Sequence, residues 1–272
     1  IAVDARIDGI NALARNFGDD IAQVIDGIAI IAIRADHGIR ARAADFTSDI
    51  RNRREHSWKN TTLGAVLTEV AGRNGLSPRI AADLASIALP TISQSRQSDI
   101  AFLRRLGREN DAVATIKDGK LIFARKGAGT TTSGTALPTL AIRRSAGDGH
   151  NWQRQKRDGQ ASVTASWHDR KEAKRQTVTV GEKNGAKRLR KTFADEASAR
   201  RAATAEQARL KRAQAKLDMR LALGRADIYV DLRAHVIGIK AGIDGEWLID
   251  EVTQTVDRES GFTTALRMEA AP

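Results

Sequence analysis

The chain has 272 residues, 41% of them hydrophobic, which suffices for one large domain or two modest ones with a buried core and excludes disorder as the default state. It holds no cysteine and five scattered histidines, which excludes disulfides and thiolate metal sites and leaves little material for a histidine-built one. The net charge is +12, and residues 150–223 carry 19 Lys and Arg against 8 Asp and Glu, so the basicity is one local block able to steer an acidic partner, protein or nucleic acid.

Residues 1–55 contain short β-branched runs, Ile28–Ile33 being the clearest, broken at Asp26-Gly27 and His37-Gly38; they predict two or three strands. The apolar run is too short to cross a bilayer, and no segment has the form of a signal peptide, so a soluble protein made in the cytoplasm is expected. The sequence starts at Ile1 instead of a methionine, and part of the N-terminus is expected to lie outside it. Arg51, Arg53 and Arg54 read as a solvated strand end or loop. From Trp58 the period changes: Leu63, Val66, Leu67, Val70 and Ala71 share one helical face, Thr61 or Thr62 can cap its start, and Asn74-Gly75 supplies a left-handed stop. Pro78 is expected to open a short helix through Leu84 and Ala85, because a first helical turn does not need its missing N–H. Ser98 and Asp99 can cap another helix that turns Ile100, Leu103 and Leu106 inward and Arg104 and Arg105 outward. Residues 112–124 predict a hairpin about Asp118-Gly119.

The Gly, Ala, Thr and Ser run at 127–138 has almost nothing to bury and reads as a linker. Strands are predicted at Thr139–Arg143, Ser162–Trp167 and Gln176–Val180. Residues 195–223, rich in helix formers and free of Pro and Gly, predict one long surface helix, its thin stripe of Ala203, Leu210, Leu217 and Leu221 awaiting a partner. After Gly224 strands are expected at Ile228–Leu232, Val236–Ile239 and Trp247–Val256, then a last one with Phe262, Thr264, Leu266 and Met268 on one face. The organisation expected is a β-region at 1–55, a small α/β domain at 56–126, the linker, and a second β-domain at 139–272. The fold class is α+β and β-rich. Ala203, Leu210, Leu217, Leu221, Trp247 and Phe262 are the interface candidates.

Catalytic patterns fail on residue type: there is no His-Glu-x-x-His helix, no Gly-x-Ser-x-Gly elbow and no cysteine nucleophile. Gly129–Gly134 has the spacing of a phosphate loop, but Thr135 stands where the lysine is needed, and Gly147-x-Gly149 lacks a third glycine. Glu69, Asp83 and Glu109 are the acids a cell-wall hydrolase could use; each reads more simply as a solvated helix residue. No catalytic, cofactor or metal residue is therefore assigned. Trp58, Trp152, Trp167 and Trp247 read as core or interface anchors.

Ser57-Trp58 leading into Thr62-Leu63, the run Ala71 to Leu76, the motif Gln97-Ser98-Asp99 with Phe102-Leu103 and Arg105-Leu106, and Gly119 to Phe123 together resemble the late control D proteins of P2-like phages, which are tail hub proteins. Trp247 to Ile249, Val252-Thr253, Gly261-Phe262, Thr264 and Leu266 extend the likeness; it spans about residues 40–270, weakly at 140–190, and Gln254 stands where a histidine is expected. The resemblance implies tube-like β-barrel domains, the first of them shortened here, with a small α/β domain between. It implies a homotrimeric structural hub of a virion baseplate, or of a related injection machine, that joins the hexameric tail tube to the trimeric spike, with baseplate wedge and tape measure proteins as further neighbours. A basic nucleic-acid-binding module using 150–223 and a tail-borne wall hydrolase are the alternatives.

Overall fold

The computed structural model describes residues 24–25, 28–33, 39–42, 49–154, 162–169, 172–181, 186–257 and 261–271. In chain order these form strands β1 (Val24–Ile25), β2 (Ile28–Ile33) and β3 (Ile39–Arg42), a 3-10 turn at Asp49–Arg51, β4 (Arg53–Thr62), helix α1 (Leu63–Arg73), β5 (Ser77–Ile80), α2 (Ala82–Ala85), β6 (Ala88–Ser98) and α3 (Asp99–Glu109). There follow β7 (Ala112–Lys117), β8 (Lys120–Arg125), β9 (Leu140–Arg143), a second 3-10 turn at Arg144–Ala146, β10 (Gly147–Arg154), β11 (Val163–Asp169), β12 (Lys174–Val180) and β13 (Lys187–Phe193). Last come α4 (Glu196–Arg212), β14 (Ala215–Leu221), β15 (Arg233–Ile237), β16 (Gly245–Asp257) and β17 (Gly261–Ala270). The Asp26-Gly27 and His37-Gly38 breaks lie outside the described residues. By contact the chain divides into two compact units. One comprises Ile1–Ala44, Pro138–Gln153 and Lys216–Glu269, the other Asp45–Leu137, Arg154–Ala215 and Ala270–Pro272. Residues 154–215 thus group with 45–137, across the 127–138 segment.

In the second unit, α1 forms where the helical period begins. Thr62 caps it by accepting the Ala65 N–H at 3.2 Å, and Gly75, at φ +67°, turns the chain away. All five stripe residues are buried, in a core shared with Trp58, Leu84, Phe102, Leu103, Leu106, Leu121 and Phe123. Each large side chain there contributes about 1.5–3 kcal/mol by leaving water. The expected hairpin is β7–β8, with Asp118 and Gly119 both at positive φ.

Three expectations in this unit need correction. Pro78 does not start a helix: it lies in β5, which pairs in parallel with β8 alone in the order β5-β8-β7. An edge strand can leave one side undonated, which is where a proline is tolerated. In α3 the buried stripe is Asp99, Phe102, Leu103, Leu106 and Gly107; Ile100 is only half-buried, and Arg105 folds back to give Ser93 O a hydrogen bond of 2.6 Å. The long helix ends at Arg212. Residues 215–221 instead form β14, because Leu217, Met219 and Leu221 alternate inward and pair with Met268, Leu266 and Thr264 of β17. The shortened helix is covered by its own chain: Ala199, Ala202 and Ala203 pack on Val163, Ala165, Val178 and Phe193 of the sheet β12-β11-β13.

In the first unit, β1-β2-β3 make a small antiparallel sheet and the remaining strands a six-stranded one, ordered β10-β14-β17-β16-β15-β9. Residues 228–232, expected as a strand, are a connection whose Ile228 and Leu232 are buried. Among the described residues no sheet closes into the barrel that the resemblance implied. The six-stranded sheet nevertheless curls. Its edge strands β9 and β10 are joined by a three-residue turn, about 14 Å of chain at most, whereas six strands laid flat separate their edges by about 24 Å. No helix among the described residues is long and apolar enough to cross a membrane.

Candidate assembly interface

Two of the motifs that carry the resemblance, the run Ala71 to Leu76 and Gln97-Ser98-Asp99, meet around one carboxylate. Ser98 caps α3 through the Ala101 N–H at 3.4 Å and leaves Asp99, 0% exposed, at the helix start. Arg73 donates from Nε to Asp99 Oδ2 at 2.9 Å and from Nη2 to Oδ1; Asn74 Nδ2 reaches Oδ2 at 2.8 Å, and Gln94 Nε2 reaches Oδ1 at 2.8 Å. Arg73 Nη2 also donates to Gln94 Oε1 at 2.7 Å, and Arg54 Nε lies 3.7 Å from Asp99 Oδ2. Burial would push the Asp99 carboxyl up, but the hydrogen bonds from Arg73, Asn74 and Gln94 together with the Arg73 charge outweigh it and hold it below its usual range. A carboxylate so saturated with donors has no proton to give and no lone pair to spare for a substrate. It is a lock joining the end of α1, β6 and the start of α3.

The acids that a hydrolase would need are similarly engaged. Glu69 accepts the Trp58 indole N–H at 2.7 Å, the indole itself stacking on Phe102 with 5.3 Å between ring centroids. Glu109 takes Lys191 Nζ at 2.5 Å, and Asp83 takes Arg125 Nε. Among the described residues no group of three or more His, Cys, Asp or Glu side chains is arranged to hold a metal ion.

What remains open lies on the curled sheet of the first unit. The connection 222–232 is stitched to three of its strands: Gly224 N–H donates to Phe262 O at 2.7 Å, Arg225 N–H to Thr264 Oγ1 at 2.9 Å, Gln254 Nε2 to Arg225 O at 3.1 Å and Arg225 Nη1 to Ala141 O at 3.3 Å. With Ile228 and Leu232 turned inward, Leu223 (81% exposed), Tyr229 (43%) and Val230 (46%) are left in water, as is Val256 (50%) of β16. On the solvent side of the sheet a trough of about 600 Å³ runs over β10, β14, β17 and β16. Within it Arg267 reaches Asp218 Oδ1 at 3.2 Å and Glu251 Oε2 at 2.6 Å.

Of the interface candidates read from the sequence, Ala203, Leu217, Leu221 and Trp247 are buried in the chain's own interior, the Trp247 indole donating to Ile243 O at 2.7 Å. Leu210 packs half-buried at the edge of the α4 core. Phe262 is half-buried over Gly224, where a Cβ would stand 2.2 Å from its ring. The exposed apolar set is hidden in the sequence because Leu223 ends a run of helix formers and 228–232 is a run of strand formers. The signal that could have found it is Tyr229-Val230 beside Arg225, Asp227 and Asp231, an apolar pair set among charges with no regular period.

Comparison with known proteins gives consistent relatives. The family model described as phage tail baseplate hub (GPD) matches residues 36–260. The probable baseplate hub proteins of Escherichia phages P2 and 186 are 37% and 36% identical, the match covering 85% of this chain and 70% of each relative. Among solved structures, a tail protein from Neisseria meningitidis MC58 superposes with TM-score 0.61 at 16% identity, covering 83% of this chain and 72% of that one. An E. coli component of the type VI secretion system, described as structurally similar to T4 tail proteins, gives TM-score 0.52 at 15% identity over 82% of this chain and 54% of its own. These structural likenesses concern the fold.

Proposed function

Because the chain belongs to the phage tail baseplate hub family, whose members are structural components of the virion tail, we propose that it acts as a homotrimeric hub joining the hexameric tail tube to the trimeric central spike. The observation that carries this reading is a sheet that curls without closing, leaving the edges β9 and β10 and the apolar side chains Leu223, Tyr229, Val230 and Val256 open on the same unit. Bare sheet edges and exposed apolar side chains favour association over solvation. Three copies that each present two tube-like elements imitate a ring of six, so one side meets sixfold tube symmetry and the other a threefold spike. Wedge proteins and the tape measure protein are the remaining neighbours such a position brings.

Light scattering of the purified chain, followed by co-purification with its spike protein, tests the reading. A trimer that retains the spike is expected. A stable monomer indifferent to the spike overturns it.

A further inference from the structure

The basic block has a face that the hub reading leaves unused. In the sheet β12-β11-β13, Val163, Ala165, Trp167, Val178, Val180, Leu189 and Phe193 turn to α4. Side chains alternate along a strand, so the other face carries Thr164, Ser166 and His168 from β11, Arg175, Thr177 and Thr179 from β12, and Arg188 and Thr192 from β13. The register agrees: Thr164 stands between Thr179 and Arg188, and Ser166 between Thr177 and Thr192. These three strands place no carboxylate there. Asp169, their one acid, has the opposite parity, and Glu172 of the β11–β12 turn is bonded to Gln176, which shares the α4 side.

Three hydroxyls and Arg175 are tied within the face, whereas Arg188 and Arg190 extend into solvent. Thr164 and Thr179 bond each other at 2.9 Å, and Arg175 lies over Ser166 with Nη2 to Oγ at 3.1 Å. Arg188 and the adjacent Arg190 are exposed and pair with no carboxylate among the described residues.

We infer that this outer sheet face docks the phosphate backbone of double-stranded DNA without reading its sequence. Protein interfaces are centred on aromatic and apolar side chains, and this face has none. Single-stranded DNA requires aromatic platforms, and the nearby indole of Trp167 is on the α4 side. Ser166 is buried beneath Arg175, but Arg175, Thr177, Thr179, Arg188 and Thr192 are exposed, and arginine and hydroxyl groups are those that contact phosphate and sugar. The excess of 19 Lys and Arg over 8 acids in the sequence of residues 150–223 supplies long-range attraction.

The test is fluorescence anisotropy of a labelled duplex of mixed sequence, titrated with the full chain at 50 and 200 mM salt. Three phosphate contacts predict a loss of affinity of about 40-fold between the two, from a slope near 0.9 per contact. The double variant Arg188→Glu, Arg190→Glu is expected to lose at least tenfold at low salt, and Arg188→Gln, Arg190→Gln to lose less while still flattening the salt dependence. Arg200→Glu with Lys211→Glu makes the same change in charge on exposed positions of α4, across the sheet, and is expected to lose less than threefold. Thermal melts verify that each variant is folded. The inference is overturned by absence of binding at 50 mM salt, by equal losses from the sheet and helix variants, or by polyglutamate competing as well as unlabelled duplex at equal charge, which would make the partner an acidic protein.

Discussion

Arg212, 2% exposed, lays its guanidinium flat against the carboxylate of Asp111, a residue 101 positions earlier, Nη1 donating to Oδ2 at 2.8 Å and Nη2 to Oδ1. The pair fastens the end of α4 to the turn between α3 and β7, within one unit. A buried charge is costly mainly when its partner is taken away. Asp111→Asn keeps the side-chain shape and tolerates the φ of +49° found there, yet removes the carboxylate charge that both guanidinium nitrogens engage. It should cost about 2–3 kcal/mol in urea unfolding. Arg212→Met should cost less, and the double variant less than the two singles summed. Additive losses would show that the pair is not coupled.

Two glycines of α1 should answer oppositely to alanine. At Gly64 a Cβ would stand 2.9 Å from Ala85 Cβ and 3.0 Å from its carbonyl oxygen, so Gly64→Ala must displace the α2 backbone and should cost about 1–3 kcal/mol. At Gly72 nothing lies within 4 Å, and Gly72→Ala should stabilise by up to about 1 kcal/mol, through helix propensity alone. Thermal melts of the two variants should shift in opposite directions.

This contrast marks what the sequence makes legible. The α1 stripe and the β7–β8 hairpin announce themselves because their signals, a 3.6 period and an Asp-Gly turn, are local. Residues 215–221 do not. Ala-Lys-Leu-Asp-Met-Arg-Leu is good helix material, and it becomes a strand through pairing with β10 and with β17, the latter some fifty residues on. The β4–β6 pair has no such local signal, because Trp58 is the only buried residue of β4 and the ladder is held by main-chain hydrogen bonds. The Asp99 lock was half visible: the motif and the cap were read, but nothing in a single sequence says that Arg73 and Asp99 meet.

Acid should unlock the second unit. Asp99 is held below its ordinary 3.8, and Glu206 is drawn from 4.5 to about 2, first by its hydrogen bond from Arg209 and, against burial, by that from Lys187. A carboxylate whose folded pKa is lowered stabilises the fold above its unfolded value, and that stability is lost as pH falls through the folded one. Melting temperature should therefore be level from pH 7 to about 5 and fall increasingly below 4.5. Asp99→Asn should melt lower at pH 7, by about 3 kcal/mol of lost pairing, yet decline less steeply in acid. Parallel acid limbs for the wild-type and variant chains would remove Asp99 from the account.

Self-association should be separable from folding at the open end of the curled sheet. Leu223 and Val256 are 81% and 50% exposed, and substitutions at such positions ordinarily change stability by no more than about 0.5 kcal/mol. A carboxylate placed in an interface is a different matter, because association would bury it without a partner. Leu223→Asp with Val256→Asp should therefore leave the melting temperature of the isolated chain nearly unchanged and shift light scattering from the proposed trimer to monomer. Leu217→Asp, which puts the same charge into the chain's own interior, should instead prevent folding altogether. If the surface pair leaves the oligomer intact, the apolar set beside 222–232 is not where the copies meet, and the bare edges of β9 and β10 become the surface to alter next.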